Sequence, residues 1–96
     1  MFFALLKYHS PKGIKMSVVK QIKEFLQTTY NISENLPEDE SFIENGHIDS
    51  TGVLELITFV ESEFGITVCD QDISPENFDT ICAIEKFVFL KKPELA

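Results

Sequence analysis

Ninety-six residues, 44% of them hydrophobic and nine of them Phe, suffice for one small domain with a single core and not for two. Sixteen acids against eight lysines, with no arginine, set a net charge of −8, which argues against a nucleic-acid binder or a binder of anionic membranes, since both need clustered cations. No apolar run approaches the roughly 20 residues that span a bilayer, and no basic stretch precedes the short apolar start as a secretory signal would require.

Charge divides the chain. Residues 1–15 hold Lys7, Lys12 and Lys15 and no acid, a net of +3; residues 16–96 hold five lysines and sixteen acids, a net of −11. His9 to Gly13 reads as a loop, because Pro11 and Gly13 both interrupt regular structure. Residues 1–15 are therefore expected to be a mobile N-terminal extension, and residues 16–96 the folded domain.

The first helix is predicted from about Ser17 to Tyr30. Val18, Val19, Ile22, Phe25 and Leu26 recur at helical spacing, with Lys20, Lys23, Glu24 and Gln27 between them. Ser17 is its expected N-cap, and Asn31 can end it in a left-handed turn. A long polar connection, Ile32 to Asp49, follows, with Phe42 and Ile43 as its expected anchors to the core. Loops of this length are uncommon in small domains and often functional.

The second helix is predicted from about Ser50 to Phe64, with Val53, Leu56, Ile57, Val60 and Phe64 on one stripe and Gly65 as its stop. Ser50 is the simplest N-cap for it, with Asp49 complementing the helix dipole. Ile66-Thr67-Val68 has strand propensity but no partner strand. Ser74-Pro75 starts a short helix to about Phe78. Thr80 caps the last helix, which carries Ile81, Ile84, Phe87, Val88 and Leu90 to about Lys91; Pro93 closes it. The expected fold is all-α: a four-helix bundle with three longer helices, one short third helix and a long first loop. Cys69 and Cys82 make no disulfide framework and are expected as buried thiols in a reducing compartment, which places the protein in the cytoplasm.

Several catalytic readings fail. His47, Asp49 and Ser50 lie within four consecutive residues, too close to align as base, orienter and nucleophile, and no Gly-x-Ser-x-Gly elbow is present. Asp70, Asp72 and Ser74 begin like a calcium loop, but Pro75 takes the glycine position and Ile81 the closing glutamate position. The cysteines and histidines lack zinc spacing. Neither a catalytic group nor a metal site is expected.

The stretch from Gly46 to Phe64, GHIDSTGVLELITFVESEF, resembles the acyl carrier protein family. Asp49-Ser50 match the family's attachment dipeptide. Glu55-Leu56 match its Glu-Leu, and Glu61, Glu63 and Phe64 match the end of its helix. Asp79-Thr80-Ile81 and the helix after them resemble its C-terminal part. The resemblance covers roughly residues 17–91. It implies a monomeric carrier, not an enzyme, whose Ser50 receives 4'-phosphopantetheine from coenzyme A through a holo-acyl-carrier synthase. It also implies that the arm's thiol holds an acyl or aminoacyl group as a thioester, and that Asp49, Thr51, Leu54, Glu55, Thr58 and Glu61 face the holo-synthase and partner enzymes.

The differences from the family pattern are informative. Thr51 stands where fatty-acid carriers usually have Leu, Gly52 replaces a commonly acidic residue, and Thr58 stands where a Met often meets partners; Leu54 keeps an apolar contact. Each buried methylene lost is worth about 0.8 kcal/mol. The expectation is therefore a specialised stand-alone carrier, served by a dedicated acyl or aminoacyl ligase and by acyl transferases. The alternatives are a housekeeping carrier of fatty-acid synthesis and an acidic helical interaction module whose Ser50 stays unmodified.

Overall fold

A computed structural model describes residues 17–96; the expected extension over residues 1–15 lies outside the described residues. Helix α1 spans Val18–Tyr30. The Ser17 hydroxyl caps it, accepting the Lys20 N–H at 3.1 Å. Asn31 ends it at φ 57°, where its N–H reaches back to the Gln27 carbonyl. Val18, Ile22, Phe25 and Leu26 are buried, the inner stripe that the spacing predicts.

Helix α2 spans Ser50–Phe64, α3 spans Pro75–Phe78 and α4 spans Ile81–Lys91. The described residues thus form three longer helices and one short one, with no strand among them. Ile66 and Val68 pack, half-buried, against the core rather than pairing as strands. Two 3-10 turns, Asp70–Asp72 and Pro93–Leu95, were not expected; Pro93 closes α4 but opens a further turn, since its fixed φ suits a first helical position.

Aromatic rings join the helices. Phe59 of α2 stacks on Phe25 of α1 at 4.2 Å and 18°, and Phe64 meets Phe59 edge-on at 6.1 Å. Phe78 of α3 lies 5.1 Å from Phe87 of α4. Phe59 has no place on the predicted α2 stripe, yet it is buried; α2 is apolar over a wider arc than one stripe because α1 covers it on a second side.

The long first loop is tied down by more than its predicted anchors. Phe42 is fully buried, together with Ile32, Leu36 and Ile48. Ile43 is not an anchor: it is 47% exposed. Its N–H donates to Asp79 Oδ1 at 3.0 Å, the Phe42 N–H donates to the Asp79 carbonyl at 2.9 Å, and the Ser41 hydroxyl donates to the Asp79 carboxylate. This backbone pinning holds the loop against the α3–α4 junction while the Ile43 side chain stays outside. The expected burial of both thiols also fails. Cys69 is exposed and Cys82 half-buried, because Cys69 flanks the surface turn Asp70–Asp72 and Cys82 lies on the partly open flank of α4.

Candidate functional site

Asp49, not Ser50, caps α2. Asp49 has extended backbone, φ −94° and ψ −178°, and its Oδ1 accepts the Gly52 N–H at 2.8 Å. Ser50 is the first residue inside the helix. The reason is chemical: a carboxylate makes a charge-assisted bond to the amide and answers the helix dipole at once. With Asp49 as the cap, the serine is left out of the capping bond. Its hydroxyl is not spent on capping, and its side chain is exposed where the first N–H groups of the helix have no intrahelical partner.

Beside Ser50 lies an apolar groove of about 360 Å³, lined by Ile43, Val53, Leu54, Ile73 and Phe78. Four segments build it. The first loop contributes Ile43, α2 contributes Val53 and Leu54, the α2–α3 connection contributes Ile73, and α3 contributes Phe78. Asp79 also borders it and positions Ile43 through the bonds described above. No sequence signal marked Ile43, Ile73 or Asp79 as neighbours of Ser50, since each is brought there by loop packing.

Among the residues expected to face partners, Thr51 and Thr58 are exposed, and Leu54 is 57% exposed. Thr58 Oγ1 donates to the Leu54 carbonyl at 3.0 Å, which folds its hydroxyl back on the helix. Glu55 and Glu61 are half-buried and have internal partners that the sequence did not reveal. The Tyr30 hydroxyl lies 2.5 Å from Glu55 Oε1, and Glu61 Oε2 accepts the Val68 N–H at 2.9 Å. Both carboxylates therefore hold neighbouring segments to α2 while keeping an accessible edge.

His47 sits with its Nε2 2.6 Å from Glu40 Oε2, so its ring is engaged within the first loop and the Asp49 carboxylate is engaged at the cap. Among the described residues, no triad is assembled around Ser50. Asp72 accepts the Cys69 N–H at 3.2 Å and pairs with Lys91 at 3.4 Å; the partial calcium motif is a capped turn.

An exposed hydroxyl at the positive end of a helix dipole, beside an apolar groove, can carry a phosphodiester and shelter part of a thin appendage. Comparison with known proteins points the same way. The chain is 34% identical over 62 residues to the acyl carrier protein of Buchnera aphidicola subsp. Schizaphis graminum, a match covering 64% of this chain and 78% of that one. It is 34% identical over 58 residues to the acyl carrier proteins of Nitratidesulfovibrio vulgaris strains DP4 and Hildenborough, covering 59% of this chain and 76% of each of those. No family model matches the chain, and no solved structure matches it.

Proposed function

The chain belongs to the acyl carrier protein family, a carrier and not an enzyme, and from that premise we propose that Ser50 is the attachment site of 4'-phosphopantetheine. The observation that carries this reading is the division of labour at the start of α2: Asp49 makes the cap, and the next residue offers an exposed hydroxyl. The prosthetic group supplies a long flexible arm ending in a thiol that holds an acyl or aminoacyl group as a thioester.

The chain's own residues bind and orient. In the transfer from coenzyme A, Ser50 Oγ would give up its proton to a base of the synthase and bond to phosphorus as the pyrophosphate P–O bond breaks and the nucleotide half leaves. The positive end of the α2 dipole stabilises the resulting negative charge. Ile43, Val53, Leu54, Ile73 and Phe78 offer an apolar wall beside it. Asp49, by keeping the turn helical, fixes the direction in which Ser50 points.

Partners read the same helix. Thr51, Leu54, Glu55, Thr58 and Glu61 form the face met by a holo-acyl-carrier synthase, an acyl or aminoacyl ligase and acyl transferases. The net charge of −8 attracts basic partner surfaces and allows fast association and release. Thr51 and Thr58 offer hydroxyls where a pocket built for Leu and Met would seek methylenes, and this favours a specialised carrier over one of housekeeping fatty-acid synthesis. A cytoplasmic, monomeric protein fits that role; no helix among the described residues is long and apolar enough to cross a membrane.

The test of specificity is enzymatic. Thr51→Leu with Thr58→Met should improve loading by a housekeeping malonyl transferase several-fold, the scale of one or two buried methylenes at about 0.8 kcal/mol each. Wild-type protein that such an enzyme already loads efficiently would return the chain to fatty-acid synthesis.

A further inference from the structure

The first turn of α2, Ser50-Thr51-Gly52-Val53, is a weak helix former. Gly is the poorest helix former after Pro, and Ser, Thr and Val all rank well below Ala and Leu. No acid lies in that turn, so within the local sequence only Asp49 supports it. The modifiable serine therefore stands on a turn that is prone to fray.

Tyr30, the last residue of α1, reaches this turn from outside. Its hydroxyl lies 2.5 Å from Glu55 Oε1 and 3.1 Å from the Gly52 carbonyl oxygen. The single phenol proton is shared in a three-centre bond, with the charged carboxylate as the stronger acceptor and the Gly52 carbonyl as the weaker one. Gly52 makes the approach possible. A Cβ there would stand 3.3 Å from the Tyr30 hydroxyl and 2.5 Å from Ile48 Cγ2, so the bare backbone is what lets both neighbours close on it. The ring itself is held edge-on against Phe25 at 6.0 Å. Burial first, and then the Glu55 carboxylate, push the phenol above its ordinary range, which keeps it a proton donor throughout neutral pH.

From this geometry we infer that Tyr30 is a positioning residue for Ser50: its hydroxyl pins the first turn of α2 and so sets how the serine is presented to the modifying enzyme. The presentation half rests on the reading of Ser50 as the attachment site, whereas the pin itself does not. Unwinding residues 50–53 moves the Gly52 carbonyl away from α1 and strains the bond to Glu55. The loss of that contact is a cost of fraying that the local sequence alone does not impose.

Tyr30→Phe keeps the ring and removes the hydroxyl. In hydrogen exchange on the full-length apo protein, the Gly52 and Val53 amides, which donate to Asp49 Oδ1 and the Asp49 carbonyl, should exchange about tenfold faster, the scale of one lost charge-assisted bond. The Lys20 amide, at the corresponding cap of α1, should keep its rate. Unchanged exchange at Gly52 and Val53 would overturn the pin. With a broad holo-synthase and coenzyme A, the variant should show KM raised several-fold with kcat near wild type, because fewer molecules present a ready serine; an unchanged KM would overturn the positioning role. Should Tyr30→Phe fail to fold, Glu55→Gln keeps an acceptor for the phenol but removes its charge, and should give an intermediate acceleration at the same two amides; no acceleration there counts against the pin. Wild-type protein left unmodified by the synthase would count against the attachment reading, and the exchange measurement would still decide the pin.

Discussion

The two ends of α2 are built on opposite principles. The C-terminal end is closed by its own sequence. Gly65 takes the left-handed conformation at φ 67° and returns its N–H to the Glu61 carbonyl, Phe64 is buried beside it, and Lys92 Nζ donates to the Phe64 carbonyl at 3.0 Å, a cation at the negative end of the dipole. The N-terminal end has one local hydrogen-bonding support, the Asp49 cap, with Ile48 packed beside it, and relies on Tyr30 of α1 from elsewhere in the chain. The end that only has to stop is closed by a local turn that Lys92 reinforces, whereas the end that carries Ser50 leaves that hydroxyl out of the cap and places the support around it.

Perturbations should separate the ends by size. Phe64→Ala removes a buried ring at the closed end and should cost about 3–5 kcal/mol in denaturant unfolding. A loss under about 1 kcal/mol would mean that this end is not part of the cooperative core. Asp49→Ala at the presenting end should cost about 1 kcal/mol, the value of a lost N-cap, and Ser50→Ala markedly less, since Ser50 caps nothing. Equal costs for the two would restore the serine as cap.

Gly65→Ala should cost about 1 kcal/mol, from a side chain at positive φ. Lys92, whose Nζ would stand 3.4 Å from the new Cβ, can remain in place. The last effect concerns the titration of Tyr30 and appears only in alkali. Its phenol holds its proton more tightly in the folded state than in the unfolded chain. That contribution is complete below about pH 10, the ordinary tyrosine value, and is lost as pH rises beyond it. Comparison of wild type with Tyr30→Phe in alkaline unfolding should show a shallower fall for the variant; parallel curves would mean that the phenol does not titrate against Glu55.

The same contrast explains what the sequence could tell. Gly65, Asn31, Ser17 and Thr80 are local signals, and each sits where it was read as stopping or capping its helix. The spacing of Ile22, Leu26, Leu56, Val60, Ile84 and Val88 marks residues that are buried, because helical periodicity is itself a local property. The misassigned cap at Ser50 arose where two adjacent residues could both serve and the stronger acceptor won. Tyr30 over Gly52 and Glu55, Asp79 under Ile43, and Glu61 on Val68 each join residues that only the folded chain brings together, so no pattern along the sequence carried them. Ile43 was misjudged as an anchor because hydrophobicity does not say which of two adjacent apolar residues turns inward.

Attachment of the prosthetic group to the exposed serine at the start of α2 can be read from intact mass. Full-length protein incubated with a broad holo-synthase and coenzyme A should gain the mass of a single phosphopantetheine, peptide mapping should place it on Ser50, and Ser50→Ala should show no gain while unfolding as wild type does. A mass gain that survives in Ser50→Ala, or a folded wild-type protein that gains none, would contradict it.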